Sequence, residues 1–150
     1  MLSYLEANPG IFAAIFVAIS AATLVLFYVR GRGAEAQFPD QRDIRLKFRE
    51  RGASGHSKRS VITTLGGASR VLDVVVTDRE LWIKGIWPVF TYIGTKYDLT
   101  HRVPLTSIRA VTARGDRVDL LFADQTGREC HIELQLKDPE GFVSAAVPSA

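Results

Sequence analysis

Residues 50–70 read ERGASGHSKRSVITTLGGASR, a run of Gly, Ser and cationic residues against which three kinds of chemistry can be tested. A P-loop requires GxxxxGK[ST], because its glycines expose backbone N–H groups to phosphate and its last hydroxyl holds magnesium. Counted from Gly52, Ser57 stands where the second glycine belongs and Arg59 where the hydroxyl belongs. A serine elbow requires GxSxG, so that a sharp turn projects the hydroxyl. Gly55-His56-Ser57 runs on into Lys58-Arg59 and Gly67-Ala68-Ser69 into Arg70-Val71, so neither closes on glycine. A nucleophile also needs an oriented base within hydrogen-bond reach, and no catalytic residue is assigned. Anion or partner contact remains: Arg51, Ser54, His56, Ser57, Lys58 and Arg59 offer cations, hydroxyls and backbone donors suited to a headgroup or a phosphorylated peptide. The competing reading of this loop is a solvated, flexible connection.

Other constellations are weaker. His131 lies between Glu129 and Glu133 at a spacing of two, which places all three on one strand face with Asp119 opposite. Side chains so placed stand about 7 Å apart without a closed shell, so the expectation is a polar outer face and no metal. His101 reads as a satisfied, partly buried histidine. Gly31-Arg32-Gly33-Ala34-Glu35-Ala36 fits the glycine spacing of a dinucleotide fingerprint but follows an apolar helix rather than a strand. Arg114-Gly115-Asp116 reads as a turn. Trp82, Trp87 and Phe90 are aromatic contact candidates, for a peptide groove or the lipid interface, with core filling as the alternative. No cofactor and no nucleic-acid partner is expected.

The elements that must position these residues begin with residues 11–29, IFAAIFVAISAATLVLFYV, in which only Ser20 and Thr23 are polar among otherwise apolar or aromatic residues. As a helix this run spans about 28 Å, close to the hydrocarbon thickness of a bilayer. A cleaved signal peptide is the rival reading, with Ala34-Glu35-Ala36 as its cleavage site, but the run is long for that purpose and lacks a preceding cation. All 19 Lys and Arg follow residue 29. The positive-inside rule therefore puts the N-terminus outside and the rest in the cytoplasm, in a cell (inner) membrane crossed once. Residues 30–60 carry nine Lys/Arg against four Asp/Glu, so the positive charge is concentrated next to the membrane. Ala14, Ala18 and Ala22 form a small-residue face that would allow a homo-oligomer through the helix. The single Cys130 suits a reducing compartment.

The chain length allows one domain and an appendage. The boundaries are a short extracytoplasmic N-terminus at 1–10, a transmembrane helix at 11–29, a linker at 30–43 and a β domain at 44–150. Ile44, Leu46 and Phe48 alternate with Arg45, Lys47 and Arg49, the period of a half-buried strand. Strands follow at 70–77 and 81–85, with Leu72, Val74 and Val76 facing Leu81 and Ile83 across a hairpin. Residues 86–97 form an aromatic segment broken by Pro88 and Gly94, and HRVPL and SIRAVTA read as strands. RVDLLFAD and ECHIELQLK form the clearest hairpin, turning at Gln125-Thr126-Gly127, with Val118, Leu120, Phe122, Cys130, Ile132, Leu134 and Leu136 inward. Asp138-Pro139-Glu140 supplies an N-cap, a first-turn proline and an early acid for a short helix that docks Phe142. The fold class is one N-terminal transmembrane helix plus a mainly-β domain: a small antiparallel barrel or two-sheet sandwich with a short C-terminal helix.

VTDRELWI (76–83), HRVPLTSI (101–108), VDLLF (118–122), Gly127 and DPEGF (138–142) together resemble bacterial pleckstrin-homology-like domains, related in form to the GRAM type. The resemblance covers roughly the last half of the chain and implies a curved seven-strand barrel capped by a helix, a binding platform without a catalytic residue. The expected function is therefore a membrane-anchored, non-catalytic binding or scaffolding module that contacts a protein partner or anionic headgroups. The alternative is an accessory subunit of a membrane enzyme complex in which the 50–60 loop binds a phosphorylated ligand.

Overall fold

A computed structural model of the chain describes residues 9–39 and 44–147. The first eight residues, with Tyr4 and Glu6, lie outside the described residues, as do 40–43 of the linker and 148–150. Helix α1, Pro9–Glu35, contains the apolar run and is long and apolar enough to cross a membrane. It continues past Val29 through RGRGAE. From Gly10 to Leu26 its residues are exposed, apart from half-buried Ser20.

The remaining elements in chain order are β1 (Leu46–Ser57), α2 (Val61–Leu65), β2 (Ala68–Thr77), β3 (Glu80–Gly85), α3 (Pro88–Lys96), β4 (His101–Pro104), β5 (Ile108–Arg114), β6 (Arg117–Ala123), β7 (Glu129–Gln135) and α4 (Pro139–Ala146). The strands form one antiparallel sheet in the order β4-β3-β2-β1-β7-β6-β5. β1 joins the two halves. Most of its length pairs with β2, from Leu46↔Thr77 to Gly55↔Ala68, and its last residues pair with β7, from Ser54↔Gln135 to Ser57↔Ile132.

Here the sequence-based expectation needs correction. Glu50 to Ser57 is strand, not loop, and only Lys58 to Ser60 turn before α2. The glycines bend the strand. Gly52 has φ +82, in the left-handed region that side chains other than glycine enter at a cost, and the register slips on both sides of Ala53. At Gly55 an added Cβ would press on Leu134, Leu72 and the Glu133 carbonyl, so the sheet folds tightly there. The polar residues beside these glycines are also structural. Arg49 donates two hydrogen bonds to Asp73, at 3.1 and 2.8 Å. The buried Glu50 carboxylate accepts the backbone N–H groups of Lys137 and Asp138, which ties β1 to the start of α4.

The folded sheet encloses one main core. Leu72, Val74 and Val76 of β2 meet Leu81 and Ile83 of β3, while Val118, Leu120, Phe122, Cys130, Ile132 and Leu134 line the other half, all buried as their alternation requires. α4 closes the core. Asp138 caps it by accepting from Gly141 N at 2.9 Å, Pro139 occupies the first turn, and Phe142 is fully buried against the edge of Phe48. The outer face of β2–β3 holds a second cluster, in which Phe38 packs on Val75 and Trp82 with Ile44 beside them. Segment 36–39 is therefore anchored to the sheet by its aromatic residue.

Phe142→Ala should cost about 3–5 kcal/mol, the range for deleting a buried aromatic side chain. Denaturant unfolding of the full chain in detergent, followed by far-UV circular dichroism, measures this loss.

Candidate functional site

The connections 58–67, 86–100 and 124–128 lie at one end of the sheet, since β1, β3 and β6 end there and β2, β4 and β7 begin there. α1 leaves the domain at this same end. Phe27 packs its ring on Tyr92 at 5.2 Å, Arg30 donates to the Tyr92 hydroxyl at 3.1 Å, and Thr91 donates to Glu35 at 3.4 Å. Gly31 is buried under Pro88, where any Cβ would overlap the Pro88 carbonyl. Positions 27, 31, 34, 35 and 38 are the half-buried or buried ones, a stripe at helical spacing that the domain covers. Below it Phe38 reaches the middle of the β2–β3 face. The aromatic segment 86–97 is thus a helix with Pro88 at its first turn, wedged between α1 and the sheet.

A polar knot sits where these connections meet. α3 ends at Tyr97, and Asp98 adopts φ 58, a left-handed conformation that Asp tolerates better than most residues. Its buried carboxylate accepts from Ser57 Oγ at 3.1 Å and Arg128 at 2.8 Å, with Arg59 at 3.9 Å. Arg128 also pairs with Asp124 at 2.9 Å across the β6–β7 turn. The Asp98 contact, followed by Asp124, raises the Arg128 pKa. Thr126 and Arg128 donors hold the Asp124 carboxylate below the usual range. His101 Nε2 lies 2.8 Å from the Asp98 carbonyl oxygen, so that nitrogen carries a proton and donates, and the ring stands edge-on to Phe122 at 5.0 Å. Burial lowers the His101 pKa. Burial likewise pushes the Cys130 thiol up.

Asp98, His101 and Cys130 offer donor atoms within 4.8 Å of one another, in residue types that suit zinc. The surroundings argue against a dication. The Asp98 oxygens are already taken by a guanidinium and a hydroxyl, and a ligating thiol must ionise, which its burial opposes. Burial of the Cys130 thiol likewise opposes the thiolate that a nucleophile would need, and His101 commits its Nε2–H to a backbone carbonyl. The cluster acts as a staple between β1, the α3–β4 connection and the β6–β7 turn.

The six residues proposed from the 50–60 stretch are distributed over different faces. Ser54, His56 and Lys58 share the outer face of β1, with Ser54 and His56 lining a depression of about 350 Å³ beside Arg117, Glu133 and Gln135. The Lys58 ammonium is held by Asp119 at 2.5 Å and Glu133 at 3.2 Å, which raise its pKa, the Asp119 hydrogen bond most. Ser57 faces the interior in the Asp98 knot, Arg59 lies at its rim, and Arg51 is exposed before the Gly52 bend. Of the aromatic candidates, Trp82 is 1% exposed and donates its indole N–H to Glu80, Phe90 is half-buried, and Trp87 is exposed. His131 bonds Asp119 at 3.1 Å on the outer face.

Asp98, Asp124 and Arg128 were not legible as a unit. The acid and cation four residues apart around Thr126-Gly127 are a local signal for part of it, but nothing local joins them to Asp98. No protein-family model matches the chain, and no curated protein matches it.

Because burial depresses the His101 pKa, the unfolded chain takes up a proton near the ordinary value of 6.5 before the folded chain does. Stability is therefore full above pH 6.5 and falls as pH drops from there toward the folded value. In His101→Phe this slope should vanish between pH 6.5 and the carboxylate range, at a cost of about 1 kcal/mol at neutral pH for the lost hydrogen bond. Urea unfolding at a series of pH values measures both.

Proposed function

We propose that this protein is a membrane-anchored, non-catalytic binding module of pleckstrin-homology-like form. α1 crosses the inner membrane with its N-terminus outside, and the β domain presents its helix-proximal end to anionic headgroups or to a protein partner at the cytoplasmic surface. The seven-strand antiparallel sheet with a helix packed in its core supports the form. The placement of charge carries the functional reading. Arg30, Arg32, Arg59, Arg70 and Lys96 are exposed at the end where α1 leaves, and of the acids there Glu35 is half-buried against Thr91 while Asp98 and Asp124 pair with Arg128. Cations so placed gain about 1 kcal/mol each beside an anionic leaflet. The clamp of Gly31 on Pro88 supports the reading further, because it fixes the height of this end relative to the apolar run.

Arg59→Ala with Lys96→Ala should lower the enrichment of anionic lipid, or of a crosslinked partner, around the protein by about 1 kcal/mol per removed cation, and less at high salt. Photocrosslinking in native membranes with identification of bound lipids and proteins reads this. Unchanged enrichment, or loss of a turnover with binding intact, would sink the proposal. For orientation, a reporter fused after Ala150 should be active only if it functions in the cytoplasm.

A further inference from the structure

The described side chains of helix α2 put apolar groups outward and a polar group inward. Ser60 and Thr63 cap it reciprocally: Ser60 Oγ accepts from Thr63 N at 3.2 Å and Thr63 Oγ1 accepts from Ser60 N at 2.9 Å. Among its described side chains the polar Thr63 is the buried one, while Val61 and Leu65, four residues apart and hence on one face, are 74% and 82% exposed. Trp87, just before α3, is 64% exposed. Among the described residues of the β domain these are the three most exposed large apolar ones, and all belong to connections at the end where α1 leaves. From Lys58 to Leu72 there is no Asp or Glu, and the exposed Arg59 and Arg70 flank the apolar residues in the chain. Apolar side chains flanked by exposed cations match the boundary between headgroups and acyl chains.

The height of this surface follows from α1. Gly31, pinned under Pro88, is two residues past Val29, the last of the apolar run, or about 3 Å along the helix axis. The headgroup region is roughly 5–7 Å deep on each side, so Trp87, next to Pro88, lies within it. An apolar cleft of about 340 Å³ lies between α3 and the start of β2, lined in part by Val71, Phe90, Ile93, Tyr97 and Leu99, and it begins at Gly66, directly after Leu65 in the chain.

We infer that α2 and the start of α3 form a wedge that enters the bilayer, with Val61, Leu65 and Trp87 seated at the acyl–headgroup boundary of the leaflet from which α1 emerges. This rests on the reading of α1 as a membrane span, but not on anionic lipid or a protein partner. The full chain is reconstituted in neutral phosphatidylcholine vesicles brominated either near the carbonyl or near the methyl end of the acyl chains. Trp82 is the internal buried control, reported alone by Trp87→Phe. In that background Val61→Trp tests the wedge and Leu46→Trp the opposite end of the sheet. The expected result is quenching of Trp87 and of the V61W indole about threefold above that of L46W, strongest with bromine near the carbonyl end. Gly31→Val, which forces α3 off α1, should abolish this quenching while Trp82 emission reports an intact sheet. If V61W and Trp87 are quenched no more than L46W, the wedge is wrong. If they are shielded from aqueous acrylamide without bromine quenching, a protein surface covers them and the inference also falls. Neutral lipid keeps the outcome independent of the headgroup reading.

Discussion

The rest of the domain depends on one strand belonging to two half-sheets. β1 can hydrogen-bond to β2 along most of its length and to β7 at its end because Gly52 takes a left-handed backbone conformation and Gly55 admits close packing from both neighbours. A straight strand would leave two sheets with separate edges. The bent one folds the sheet over a single core, with α4 and Phe142 filling the interior and Glu50 holding the start of that helix in place.

Folding the sheet this way also brings the two ends of the strand order together. The β6–β7 turn reaches the α3–β4 connection, where Arg128 spans from Asp124 to Asp98 and Ser57 completes the set from β1. A carboxylate as buried as Asp98 is tolerable only because its oxygens are paired and hydrogen-bonded. That requirement commits both Asp98 oxygens, one to the Ser57 hydroxyl and one to the Arg128 guanidinium. The knot is the electrostatic counterpart of the bend in β1: the bend directs the chain, and the knot holds the three connections in register.

Holding those connections still also fixes the shape of the helix-proximal end. α3 packs on the sheet with one face and on α1 with another, so the orientation of the apolar helix relative to the domain is set by packing, with Gly31 and Pro88 at closest approach. Phe38 extends the attachment onto the outer face of β2–β3. Segment 36–39 is thereby anchored, and the connections that carry α2 and Trp87 lie at one end of the sheet.

The apolar helix, the β6–β7 hairpin and the capped α4 were legible in the sequence, because each is specified by neighbours in the chain: an unbroken apolar run, a period of two on both sides of Gln125-Thr126-Gly127, and Asp138-Pro139 at a helix start. Residues 50–57 were read as a loop because Gly and Ser locally signal flexibility, whereas here their freedom serves a bend that pays off only through pairing with Thr77 at one end and Ile132 at the other. Gly31 was read as part of a chance motif for the same reason, its partner Pro88 being distant in sequence. By itself, then, the sequence determined where apolar and polar faces alternate and which termini are capped. Tertiary structure alone decided which glycines bend a strand or admit a helix, which charges are consumed in pairs, and which apolar residues stay outside, because each outcome depends on contacts between segments that no local pattern encodes.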